Sequence, residues 1–341
     1  MKVAGLLWRG LFLLVVAVLF AAGLLLAMAA SWSADVKAQL AGNADGVETT
    51  HGVQQAAVLG SGPPVLIVHG APGGYDQALA VADATGLENV TLIAPSRAGY
   101  LGTPLGTSLL PLQQAEDMAA LLDSLEIPRV LVVAWSSGVP AAVLFATTHP
   151  ERVSGLVIIS GVTSRILPHG DPPVQPLPAE ILQALTGDVG AAVAVWMAEN
   201  EPARLVAAAA PLLIGGSERD RGAFVEGITG NPGQLQVFRS FLDSVVPLSP
   251  REAGTRNDLF QLRALGPLPA EKILCPTLVV HGTQDPFIPV DEARAFAARV
   301  PGAVFLPVEK AGHIPWLGPD AARAAAAIRE FVNENSPRTL P

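Results

Sequence analysis

The sequence is poorest in residues that cross-link a chain or draw it to a polyanion. It holds one cysteine, Cys275, which excludes an intrachain disulfide; with no second thiol and no Cys/His ligand spacing, a zinc site is not expected. Cys275 precedes an apolar strand and reads as a buried structural thiol. Basic residues are few and scattered: 21 Lys and Arg against 30 Asp and Glu give a net charge of -9, which repels a phosphate backbone and argues against nucleic acid as a partner. Charged residues of both signs make up only 15% of the chain and hydrophobic ones 50%, a balance that disfavours disorder. At 341 residues the chain is long enough for one large core with an insertion.

Charge is missing altogether between Gly10 and Ala34, after Lys2 and Arg9. The strongly apolar part ends near Ala30, giving about 20 residues, enough to cross a bilayer core of roughly 30 Å as a helix. No polar face appears along it, so a buried core helix is disfavoured. Ala27-Met28-Ala29 also fits the small-x-small pattern of a signal-peptidase site, so residues 1–34 read either as a membrane anchor or as a cleaved secretory peptide. In both cases the basic flank stays inside and the rest of the chain is extracytoplasmic. Residues 35–46 read as a linker.

Beyond it, short apolar runs alternate with amphipathic stretches, the pattern of a mostly parallel sheet flanked by helices. Val65–Val68, Thr91–Ala94, Val130–Val133, Leu156–Ile159, Leu278–Val280 and Val304–Leu306 read as buried strands, while Leu112–Leu125, Val290–Val300 and Pro319–Val332 have helical spacing. The alternation breaks at Thr163, runs through a proline cluster from Pro168 to Pro178, and resumes near Ala270 after segments that read as all-helical. This divides the α/β unit into residues 47–162 and 271–341, with a helical cap at 163–270.

Three strand ends carry the chemistry. Val130–Val133 runs into Ala134-Trp135-Ser136-Ser137-Gly138, a strand–turn–helix context close to G-x-S-x-G. The sharp turn needs small residues two places either side of the serine. Centring on Ser136 gives Ala134 and Gly138, whereas centring on Ser137 gives Trp135 and Val139, so Ser136 is the candidate nucleophile. Val65–Val68 leads into His69-Gly70-Ala71-Pro72-Gly73-Gly74, a loop whose backbone can meet developing negative charge; Ala71 N–H and Ser137 N–H are the candidate oxyanion donors, and His69 reads as structural. Leu278–Val280 is followed by Asp285, placed to orient an imidazole, and the loop after the strand Leu156–Ile159 offers no rival carboxylate. After the last strand, His313 follows Gly312 as the candidate general base.

The order Ser136, Asp285, His313, with the His69–Gly74 loop upstream, makes the chain resemble the α/β-hydrolase superfamily from about Val53 to the C-terminal helix. The resemblance implies an α/β-hydrolase fold with a helical cap inserted after the sixth strand. Pro95–Thr103 is similar to the family's D-R-P-G-Y-G-x-S loop, but Ser96 stands for the acid, Ala98 for the proline, and Leu101 is inserted. The HGAPGG loop resembles those of proline iminopeptidases and of many esterases alike. Epoxide hydrolases and haloalkane dehalogenases use an aspartate where this chain has Ser136, and a serine implies acyl transfer.

The expected function is therefore hydrolysis of a small or medium carboxylic ester through an acyl-enzyme. A proline iminopeptidase-like aminopeptidase is the alternative, with Glu199 and Glu201 offering a substrate ammonium contact if they are not a solvated face. A non-catalytic ligand-binding protein or membrane-tethered scaffold is the alternative of another class. Trp135 and Trp196 are candidate substrate contacts; Phe224, Phe238, Phe241 and other apolar cap residues either line a pocket or form cap core. No cofactor or metal is implied, since Gly70, Gly73 and Gly74 lack G-x-G-x-x-G spacing.

Overall fold

The computed structural model describes residues 2–164 and 187–337. Among these, eight strands make one sheet: β1 (Asp45–Thr49), β2 (Gly52–Gly60), β3 (Pro64–Val68), β4 (Thr91–Pro95), β5 (Val130–Trp135), β6 (Val153–Ile159), β7 (Thr277–Gly282) and β8 (Val304–Val308), in the order β1-β2-β4-β3-β5-β6-β7-β8. The β1–β2 and β2–β4 pairs are antiparallel and every other pair is parallel. The six strands expected from the sequence are β3 to β8.

Strands β3 to β7 read as apolar runs because both faces of the sheet are covered there, whereas β8 is an edge strand whose Val304 is exposed rather than buried as its sequence suggests. Val65, Ile67, Leu131, Val133, Val157 and Ile159 point into one core layer, with α2 (Tyr75–Thr85) and α11 (Ala321–Asn335). Their immediate neighbours Leu66, Val68, Val130, Val132, Leu156 and Ile158 point into the other, with α3 (Pro111–Ser124), α4 (Val139–Thr148) and α10 (Val290–Arg299). Each such fully buried aliphatic side chain contributes roughly 1.5–3 kcal/mol from burial.

The chain leaves the sheet between β6 and β7, which are parallel neighbours with Leu156 opposite Thr277. Among the described residues of this excursion are α5 (Asp188–Asn200), α6 (Pro202–Leu213), α7 (Glu218–Thr229), α8 (Pro232–Asp243) and α9 (Glu252–Arg263). Their starts are encoded locally. Ser217 and Asp220 form a reciprocal capping box on α7, and Asn231 caps α8 ahead of Pro232 at its first turn. The proline cluster from Pro168 to Pro178 lies outside the described residues.

The N-terminal region departs from the sequence expectation. Residues 35–46 are not a linker: α1 (Lys2–Gly42) continues as one helix to Gly42, and β1 begins at Asp45. The reason is tertiary. Ala29, Ser33, Val36, Lys37 and Leu40 fall on one stripe of α1, and that stripe docks on the rest of the molecule, with Ala29 and Ser33 buried. Phe12–Gly42 is long and apolar enough to cross a membrane by length and composition.

Candidate active site

Because β3 to β8 run parallel, their carboxyl ends lie along one edge, and the loops that follow them meet there. Ser136 follows β5 directly and has φ +54°, the left-handed region that a side chain rarely adopts. The turn is sharp because β5 passes at once into a 3-10 turn and then α4, with the serine at the junction. Gly138 is required here: a Cβ at that position would collide with the carbonyl oxygen of His69.

Ser136 Oγ lies 2.8 Å from His313 Nε2, and His313 Nδ1 lies 2.8 Å from Asp285 Oδ2. Asp285 Oδ1 accepts from the N–H groups of Phe287 and Ile288, at 2.8 and 3.1 Å, which fixes the carboxylate and leaves Oδ2 for the imidazole. With these partners Nδ1 carries the proton and Nε2 is free to accept one. Burial alone would raise the Asp285 pKa, but the charge and hydrogen bond of His313, with smaller help from His281 and Phe287 N–H, hold it below the ordinary range. A hydroxyl facing such an imidazole can be deprotonated as it attacks a carbonyl.

The His69–Gly74 loop passes close to the serine, since a Cβ on Gly70 would come within 3.0 Å of Ser136 Cβ. Gly70 N–H donates to Gln77 Oε1 at 2.9 Å, whereas the Ala71 N–H has no acceptor among the described residues. Ser137 N–H opens the helical turn, where backbone donors lack an intrahelical acceptor. Both candidate oxyanion donors are therefore available. His69 is fully buried and its pKa is pushed well down, first by burial and then by Arg97. Its Nε2 accepts from Arg97 N–H at 2.9 Å and its Nδ1 faces Gly70 O at 2.7 Å, a framework role.

Ser137 points away from the site. Its Oγ accepts from Arg97 Nη2 at 3.0 Å and donates to Asp258 Oδ2 at 2.8 Å. Arg97 and Asp258 pair at 2.5 Å, and Tyr100 Oη donates to the same carboxylate at 2.7 Å. Burial and the Asp258 charge push the Tyr100 hydroxyl well up, so it stays a donor. Asp258 belongs to α9, so this buried network ties the inserted helices to the residue after Ser136. A second tie comes from Arg251, fully buried, which binds Asp76 at 2.6 Å and Gly73 O at 2.9 Å and so clamps the His69–Gly74 loop. A third and a fourth hold the remaining loops: Leu213 O accepts from His313 N–H at 3.0 Å, and Gln284 O accepts from Gly215 N–H at 2.7 Å.

Of the two tryptophans expected to touch substrate, Trp135 is buried and packs against His313. Its Nε1 donates to His313 O at 3.3 Å, and its rings pack on His313, Trp316 and Phe241 at centroid distances of 5.6, 5.4 and 5.7 Å. Trp196 is not drawn into this cluster; it is 57% exposed on α5 and makes no ring contact among the described residues. Phe224 and Phe238 are core, and Glu201 pairs with Arg204 on the surface. Trp316 and Phe287, whose ring stands 5.1 Å from that of His313, were not singled out by sequence reasoning, although each lies within three residues of a candidate. The Arg97–Asp258 pair had no local signal, being 161 residues apart. A cavity of about 710 Å³ lies between α1 (Trp32, Leu40), α2 (Tyr75, Leu79) and the inserted helices (Val195, Asp243), and Ser136, Asp285 and His313 are not among its lining residues.

The alpha/beta hydrolase family model matches residues 65–327. An alpha/beta hydrolase fold protein from Nakamurella multipartita is 33% identical, with a TM-score of 0.77 over 84% of this chain and 98% of that one. An uncharacterized hydrolase of Bacillus subtilis strain 168 is 26% identical over 299 residues, 82% of this chain and 95% of the relative. A Pseudomonas putida protein named 2-hydroxy-6-oxononadienedioate/2-hydroxy-6-oxononatrienedioate hydrolase 2 is 26% identical over 209 residues, 58% of this chain and 61% of its own.

Proposed function

Since the chain belongs to the alpha/beta hydrolase family, we propose that it is a serine hydrolase that cleaves a small or medium carboxylic ester through an acyl-enzyme. The observation that carries this reading is the unbroken hydrogen-bonded chain from Asp285 through His313 to Ser136. Ser136 attacks the carbonyl carbon while His313 Nε2 takes its proton. The N–H groups of Ala71 and Ser137 bind the oxyanion, helped by the positive end of the helix that starts at the serine. The imidazolium then protonates the leaving alkoxide, Asp285 stabilising it throughout. Water, deprotonated by His313, completes the second half-reaction and frees the acid.

The P. putida relative motivates a second reading, hydrolysis of a carbon–carbon bond beside a carbonyl in a dicarboxylate. A dianion needs cationic side chains, and the two deeply buried arginines beside the site, Arg97 and Arg251, are already paired with Asp258 and Asp76. The ester reading therefore comes first. We also assign α1 as a membrane anchor or signal segment that directs the domain out of the cytoplasm, on the strength of its uncharged run and basic start.

Treating wild type and Ser136→Ala with a fluorophosphonate probe, p-nitrophenyl esters and prolyl anilides tests the proposal. Labelling and ester turnover confined to wild type are expected. Turnover of anilides alone would replace the ester reading by the aminopeptidase one, and a folded wild type inert to every reagent would leave a binding or scaffold role.

A further inference from the structure

The assignment of α1 as a membrane segment has a geometric corollary for α5. On α1, Phe12, Leu19 and Met28 are 67%, 66% and 61% exposed, but Ala29 is only 5% exposed and Ser33 2%. The helix thus docks before its apolar run has ended. Its partner is α5, and the joint is pinned by Asp188, the first residue of that helix. Asp188 Oδ2 accepts from Ser33 Oγ at 2.5 Å and Lys37 Nζ at 2.9 Å, while Oδ1 accepts from Ser249 Oγ at 2.9 Å. Its own burial would raise the carboxyl pKa, but these three hydrogen bonds hold it below the ordinary value, and a carboxylate suits a helix N-terminus.

This joint fixes α5 relative to any bilayer that α1 crosses. A hydrocarbon core of roughly 30 Å takes up about 20 helical residues, which is the whole uncharged run to Ala30. Ser33 lies three residues further, about 4.5 Å along the axis. The start of α5 is therefore held within one helical turn of the bilayer edge.

From Val189 to Trp196 the face that α5 turns outward is apolar, and it ends at the exposed Glu199 and Asn200. Ala191 and Ala198 are buried, whereas Val189, Val193 and Trp196, at i, i+4 and i+7, are 38%, 51% and 57% exposed. No charged residue occurs between Val189 and Ala198. A tryptophan with flanking aliphatic residues is the composition of a surface that rests at a membrane interface.

We propose that the Val189, Val193 and Trp196 face of α5 is a membrane-contact surface, seated at the headgroup–acyl boundary of the bilayer that α1 crosses. The proposal rests on the reading of α1 as an uncleaved anchor. Because the chain is acidic and the stripe uncharged, contact is by apolar burial rather than by attraction to anionic lipid, so it does not weaken in high salt.

The test uses the full chain in phosphatidylcholine vesicles whose acyl chains carry bromine, with Cys275→Ser as background. Single cysteines are introduced as Val189→Cys, Val193→Cys, Val16→Cys within α1 and Leu274→Cys on the core surface, and each is labelled with an environment-sensitive fluorophore. The expected result is loss of emission at positions 16, 189 and 193, none at 274, and no recovery in molar salt. Quenching at 16 without quenching at 189 and 193 overturns the contact surface while leaving the anchor intact. No quenching at 16 overturns both. Absence of quenching at 193, with unlabelled Val193→Cys copies forming a disulfide cross-link under oxidation, would assign the face to a second chain and also overturn the proposal.

Discussion

Asp285 and Asp258 are both withdrawn from water, with side chains 0% and 6% exposed, and each accepts several hydrogen bonds, yet they sit in networks of opposite kind. Asp285 faces an imidazole, a group able to gain and lose a proton near neutrality, and the remaining bonds come from rigid backbone N–H groups. Asp258 faces a guanidinium that never deprotonates, and its other partners, Tyr100 and Ser137, are hydroxyls. The desolvation cost of the two carboxylates is similar in nature. What differs is whether the compensating charge can move, and that separates the proposed site of proton transfer from a lock between the inserted helices and the core.

The contrast can be broken first at its reactive end. Ser136→Ala is expected to lower kcat for ester substrates by up to about 10⁶-fold, measured by p-nitrophenolate release, with little change in thermal midpoint. Asp285→Asn keeps the shape but lets the imidazole take the wrong tautomer, so kcat falls by about 10⁴-fold. The same variant carries a pH signature. The folded-state pKa of Asp285 is depressed, so its contribution to stability is complete above the unfolded value of about 3.9 and is lost as pH falls through the lower folded value. Urea midpoints of Asp285→Asn should therefore fall less steeply than wild type below about pH 4; parallel acid limbs would contradict the assignment.

The locking end should respond in stability. Asp258→Ala leaves the Arg97 charge buried without a partner and is expected to cost about 3–5 kcal/mol in chemical denaturation. Adding Arg97→Met to Asp258→Ala should recover part of that loss, because the stranded charge is then gone. The smallest effect belongs to the half-exposed Lys37–Asp188 pair: Lys37→Ala should change stability by about 1 kcal/mol or less.

How much of this was legible in the sequence follows from distance along the chain. Strands β3 to β7 were visible because burial on both faces leaves mostly Val, Ile, Leu and Ala in each run, and the edge strand β8 because Val304, Phe305 and Leu306 still form an apolar run. The meeting of Ser136, Asp285 and His313 was legible because each follows such a strand within a few residues. β1 and β2 were not: β1 is a polar edge strand, and β2 buries Gln54 and Gln55 where an apolar pattern would be sought. The helical continuation of α1 past Ala34 depends on contacts with Asp188, more than 150 residues away. The orientations of Trp196 and Trp135 were not legible: residue type alone says nothing of the face a helix presents, and Trp135, next to the serine in sequence, turned inward against His313.

The insertion between β6 and β7 has a consequence for how the molecule comes into being. Ser136 and His313 are 177 residues apart, and the loops that carry Asp285 and His313 are fastened to Leu213 and Gly215 within the insertion. A chain that emerges amino end first presents its serine strand well before Asp285 and His313 exist. On the proposed mechanism the nascent protein is inert toward esters until the last strands slot beside β6, and a product truncated anywhere before His313 carries the serine without the base proposed to activate it.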